Sequence, residues 1–140
     1  MYDALTVAKY IVTKCVQDGC PISNLQLQKI LYFVQVDSLK WNKEPAFYDD
    51  IEAWKFGPVV PDVYYHFCGS GALPILDTYE LNDDFVQNSQ MNKVIEEKRK
   101  MNPWDLVEEA HKKDGPWDRV FKGGDGNREI IPLDLIEACG

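Results

Sequence analysis

Four cysteines and two histidines are the side chains in this 140-residue chain that nucleophilic or soft-metal chemistry would need. A thiol hydrolase requires a thiolate, a base to generate it and an acid to orient that base. The combinations on offer are Cys68 or Cys20 as nucleophile, His66 or His111 as base and Asp105 as orienter, and no local signature selects among them. His66-Phe67-Cys68 is the one close His/Cys pair, too sparse for the ligand clusters that hold zinc, so neither metal nor cofactor is expected. The paired carboxylates Asp49-Asp50, Asp83-Asp84 and Glu108-Glu109 fall at loops or helix starts, where capping and solvation explain them. None marks a glycosidase. Gly123-Gly124-Asp125-Gly126-Asn127 lacks the lysine and the strand-to-helix setting of a phosphate-binding loop and reads as a flexible connection.

What remains is recognition chemistry, and it is concentrated between Ile51 and Phe67. Ile51–Lys55 alternates at the period of a short strand, Gly57-Pro58 then stops regular structure, and Pro61 suits the first turn of a helix running to about Phe67. Trp54, Phe56, Tyr64 and Tyr65 surround a turn with little backbone freedom left to lose. Such a corner is either core or a recognition surface, and burial of large aromatics is the commoner use.

The elements that position this corner follow from periodicity and caps. Asp3 caps a first helix carrying Ala4, Leu5, Val7, Ala8, Ile11, Val12, Cys15 and Val16 on one stripe, with Thr13 and Lys14 on a solvated face; Gly19 and Pro21 end it. Ser23 and Gln26 form a capping box before a second helix, about Asn24 to Trp41, whose apolar residues cover nearly its whole circumference. A helix of that kind is central. Gln28, Lys29 and Gln35 interrupt it; Lys29 is expected to carry its head to solvent, the alternative being that it holds a partner's carboxylate. Pro74-Ile75-Leu76 reads as a second strand that pairs with Ile51–Lys55. A long helix is expected from Asn82 to about Lys100, another from Asn102-Pro103 through Lys113, a turn at Trp117–Phe121 and a last helix at Leu133–Cys139. His111 then lies near a helix C-terminus, where its ring packs against Trp117. The expected fold is mainly α, a single-domain bundle of five or six helices spanning residues 1–140, with a small β element near residues 51–55 and 74–77.

Composition narrows the classes further. No apolar run approaches the roughly 20 residues of a membrane helix, and the start lacks a signal-peptide pattern, so a cytoplasmic protein is expected. In that compartment the cysteines are free thiols, with Cys15 a small buried hydrophobe. The net charge is −8, and most of the excess lies beyond residue 70. An acidic surface disfavours nucleic acid and favours basic protein partners.

Three segments taken together resemble the Panacea domain, found in toxin–antitoxin loci and in phage-associated proteins of the GepA type. They are Leu25-Gln26-Leu27-Gln28-Lys29-Ile30-Leu31-Tyr32-Phe33; Ile51-Glu52-Ala53-Trp54 with Gly57-Pro58-Val59-Val60-Pro61 and Val63-Tyr64; and Leu106 to His111 followed by Pro116-Trp117. Ala110 stands where that family usually has threonine. The resemblance implies an antitoxin, not an enzyme, that neutralises a cognate protein toxin by direct binding, and a related member delivers its toxin to a bacterial protease. It makes Lys29, Tyr32, Trp54, Gly57, Pro58, Val59, Tyr64, Tyr65, His111 and Trp117 the candidate partner-binding residues, although Tyr32, Trp54 and Trp117 also suit a shared core. Oligomeric state stays open. The competing readings are a cysteine- or metal-dependent enzyme and a phage-encoded factor that binds another host protein.

Overall fold

A central helix organises the chain. In the computed structural model, which describes residues 2–140, α2 (Asn24–Asn42) contacts helices α1 (Ala4–Gln17), α5 (Ser89–Lys98), α6 (Pro103–Ala110) and α8 (Leu133–Cys139). Leu27, Ile30, Leu31, Val34 and Leu39 are buried around its circumference, each contributing about 1.5–3 kcal/mol of transfer free energy. Its start is fixed locally: the Ser23 side chain accepts from the Gln26 N–H, and the Gln26 side chain accepts from the Ser23 N–H. Likewise Asp3 accepts from the Thr6 N–H ahead of α1, and Gly19 takes a left-handed φ of +74° just past the end of that helix.

The polar interruptions of these helices are buried, not solvated. Gln35 is enclosed, its amide donating to the Phe47 carbonyl while its oxygen accepts from the Ala46 N–H, so α2 clasps the connection that follows it. Gln28 donates to Asn24 and accepts from the Val60 N–H. Thr13, expected on a wet face, is also enclosed; its hydroxyl donates to the Lys9 carbonyl and accepts from the Tyr79 N–H, which ties an irregular segment to α1. Through these bonds the side chains satisfy the Phe47 carbonyl and the Ala46, Val60 and Tyr79 N–H groups.

The fold is mainly helical with a small antiparallel sheet, as expected, yet the sheet is built differently. Strand β1 (Ile51–Trp54) pairs with β2 (Gly57–Val59), registering Ala53 with Pro58, and on its other side with β3 (Ile130–Ile131), registering Ile51 with Ile131. Gly57-Pro58 therefore opens a strand instead of ending regular structure. Proline is tolerated because β2 is an edge of the order β2-β1-β3. Residues 74–77 form no strand. The Ile75 N–H donates to the Ile22 carbonyl and its side chain is buried, so this segment is an extended tether, and the place expected for it beside β1 belongs to β3. Helix α3 (Pro61–Phe67) follows β2 directly. The stretch expected as one helix from Asn82 to Lys100 is two, α4 (Asp83–Val86) and α5, because the Asn88 side chain accepts from the Met91 N–H and restarts the turn. Helix α6 stops at Ala110, short of Lys113, and α7 (Pro116–Phe121) carries Trp117 back against β1.

Candidate partner-binding site

The hairpin β1–β2 and helix α3 bring the aromatic corner together at the surface. Trp54 meets Tyr64 edge to face at 5.2 Å between ring centroids and Tyr65 at 6.1 Å, while Tyr64 and Tyr65 are 5.5 Å apart. Such pairs hold each other at about 0.5–1.5 kcal/mol beyond the area they bury. The Arg128 guanidinium lies 4.1 Å over the Trp54 ring and donates to the Tyr65 hydroxyl at 3.4 Å, so a residue from the far end of the chain completes the cluster. Tyr65 is 54% exposed, Phe56 is exposed, and Trp54 and Tyr64 are half-buried.

Beneath the corner the other candidates form a buried second layer. Lys29 is 1% exposed, which overturns the expectation that its head reaches solvent. Burial alone pulls its ammonium from the ordinary 10.5 to about 7, and among the described residues no carboxylate lies within ion-pair distance of it. Gly57, at φ +117°, holds the backbone close to that side chain. A Cβ there would stand 2.9 Å from Lys29 Cε, 3.2 Å from its Nζ and 3.3 Å from His111 Nε2, so a larger residue has neither the conformation nor the space. His111 stacks face to face on Trp117, with centroids 3.6 Å apart and the planes within 2°, as the sequence suggests. Its Nε2 is buried without a hydrogen-bond partner; burial first, then the nearby Lys29 charge, hold the imidazole below its usual value. Trp117 is buried and its indole N–H donates to the Trp54 carbonyl at 2.7 Å, locking α7 to β1.

The ten candidate residues thus separate by depth. Trp54, Tyr64 and Tyr65 reach the surface. Gly57, Pro58, Val59 and Trp117 support them from below, and Tyr32, on α2, is buried in the core, burial raising its hydroxyl. A cavity of about 350 Å³ opens between the layers, lined by Lys29, Lys55, Trp54, Phe56, Val59 and Tyr64 among others. Arg128 and Lys55 escaped the sequence reading. Arg128 gave no local signal, being placed only by the pairing of β1 with the turn before β3, where its N–H donates to the Ala53 carbonyl.

Among the described residues no hydrogen bond joins Cys20 or Cys68 to His66 or His111: Cys68 is exposed and donates to the Tyr65 carbonyl, His66 packs on Phe67 and His111 stacks on Trp117. Cys15, expected as a small buried hydrophobe, is fully buried, and burial raises its thiol. Among the described residues no group of three or more His, Cys, Asp or Glu side chains is placed to hold a metal, and no helix is long and apolar enough to cross a membrane.

Comparison with known proteins identifies the family. The family described as Antitoxin SocA-like, Panacea domain, matches residues 27–118, which run from α2 through the aromatic corner to α7. Antitoxin SocA of Caulobacter vibrioides (strain NA1000 / CB15N) is 33% identical over 134 residues, covering 86% of this chain and 71% of that protein. No solved structure matches. The chain belongs to the SocA-like Panacea-domain antitoxin family.

Proposed function

We propose that this protein neutralises a cognate protein toxin by binding it directly through the corner formed by Trp54, Tyr64, Tyr65 and Phe56. The observation that carries the reading is the exposure of a mutually braced aromatic cluster on a rigid hairpin-helix unit, in a chain of an antitoxin family. Aromatic anchors with few rotamers and a fixed backbone lose little entropy on docking, and such residues dominate interface energetics. The acidic surface raises the encounter rate with a basic toxin. Buried Trp117, Pro58 and Val59 act by holding the anchors in place.

Co-expression tests it. The protein encoded beside this one is expressed alone and with the antitoxin, scored for growth, and the pair is tested for co-purification. Tyr65→Ala, at an exposed position, leaves the fold and thermal midpoint in place and weakens the complex tenfold or more, since removing an interface anchor costs about 2 kcal/mol. Full neutralisation by both Trp54→Ala and Tyr65→Ala, with both variants folded, would place the interface elsewhere. Co-purification of protease subunits with the complex extends neutralisation to delivery for degradation.

A further inference from the structure

The cavity under the aromatic corner has an electrostatic character opposite to that of the protein around it. The chain carries a net charge of −8, yet this cavity is lined by two lysines and no carboxylate. Lys29 forms its inner wall, almost wholly enclosed and with no ion-pair partner among the described residues; Lys55 stands exposed at the rim, near the Phe56 ring. The neighbouring amides are already committed. Gln28 is bonded to Asn24 and to the Val60 N–H, and Asn24 donates to the Tyr64 carbonyl. His111, the other titratable group beside Lys29, contributes no negative charge. A buried ammonium with no counter-ion either gives up its proton, as burial favours here, or is completed by an anion entering through the cavity.

We propose that this cavity receives a single carboxylate from the toxin, an aspartate or glutamate side chain that enters the space lined by Trp54, Val59 and Tyr64 to meet the Lys29 ammonium. The proposal rests on the antitoxin reading above and adds to it the chemistry of the group that is recognised. One buried point charge suits a monoanion; a phosphate dianion is better matched by arginine forks, and the single arginine of the corner lies over the outer face of Trp54. A protein source follows from the surroundings, because exposed Tyr65 and Phe56 continue the contact surface beyond the mouth, farther than a small free acid extends.

The test has two arms, so that failure here is separable from failure of the antitoxin reading. In the first, the full chain alone is titrated with 3-phenylpropionate and with its amide, 3-phenylpropionamide, and binding is followed by NMR shifts of backbone amides. Saturable binding of the acid near 1 mM, with the largest shifts around Lys29, Trp54 and Tyr64 and at least tenfold weaker binding of the amide, supports the site. Loss of that preference in Lys29→Met and in Ala72→Phe, which narrows the exposed rim without touching Lys29, supports it further. Equal binding of acid and amide, undiminished binding to Lys29→Met, or no saturable binding would overturn it. In the second arm, folded Lys29→Met is paired with the toxin and is expected to bind at least tenfold more weakly. Acid-selective binding in the first arm with unchanged toxin affinity in the second would assign the cavity to a free small carboxylate and overturn the toxin as its source. Absence of any toxin complex with the unaltered chain overturns the antitoxin reading itself, whatever the fragments do.

Discussion

Replacing Lys29 by methionine should stabilise the free protein, and by an amount that depends on pH. Burial lowers the ammonium to about 7 from 10.5, so between those values the unfolded chain binds a proton that the folded chain releases. Stability therefore rises with pH across that window, and the penalty for the buried charge is felt in full below pH 7. At about 1.4 kcal/mol per tenfold change in proton affinity, the ceiling on that penalty is about 5 kcal/mol. Methionine keeps the unbranched apolar stem, and relaxation around the charge trims the gain to about 2–4 kcal/mol at pH 6. Urea unfolding of both proteins at pH 6, 8 and 10 measures the difference, with equal m-values confirming that only stability has changed. The gap should shrink to within about 1 kcal/mol by pH 10, where the unaltered lysine has lost its proton in the folded state and is losing it in the unfolded one. Comparing the two proteins at each pH cancels the buried tyrosines and Cys15, whose hydroxyls and thiol are raised and which act on both alike. A variant less stable than the parent at every pH, or a gap that does not change with pH, would refute the reasoning and mean that Lys29 is compensated within the folded chain.

Other perturbations probe the scaffold around the site. Gly57→Ala is expected to cost about 2 kcal/mol in urea unfolding, because a Cβ at φ +117° is strained and meets Lys29 and His111; a neutral result would mean that the turn relaxes freely. Gln28→Leu strands the Val60 N–H and should cost about 1–3 kcal/mol, with loss of hydrogen-exchange protection at Val60 as the local signature. The Asp18 carboxyl is held below its ordinary value first by its hydrogen bond from Arg99, so its contribution is present above the ordinary carboxylate range and lost as pH falls through the lowered value. Arg99→Gln should therefore be less stable than the parent at pH 7, with the difference closing toward pH 3; a difference that persists in acid would assign Arg99's role to packing.

How much of this was legible in the sequence divides by range. The starts of α1, α2 and α6 were readable because Asp3, the Ser23–Gln26 box and Asn102-Pro103 act within one turn. Helix α8 was readable from Leu133 to Cys139 for a similar reason, a proline just ahead of an apolar run. The sheet was not. Two-residue β3 has no pattern of its own and exists because β1 offers it an edge, while Gly57-Pro58 looks like a stop unless the strand is known to lie outermost. The stacking of His111 on Trp117 could be anticipated from two nearby segments. The burial of Lys29 could not, since it is enclosed by residues from β2 and the end of α6, and a long flexible stem is equally able to reach water.

The placement of β3 has a consequence for how the protein comes into being. Strand β1 is bordered on one side by the strand made immediately after it and on the other by Ile130-Ile131, and Arg128, which braces Trp54, arrives with that second border. During synthesis, at about 5–20 residues per second, the nascent chain exposes β1 with a bare edge until Ile130-Ile131 has been made. A chain terminated before Arg128 lacks the brace on Trp54 and Tyr65 and presents an open strand edge, a liability for self-association and proteolysis. The brace on Trp54 and the second border of β1 therefore exist together only in chains that extend through Ile131, and a synthesis interrupted before Arg128 yields molecules that have neither.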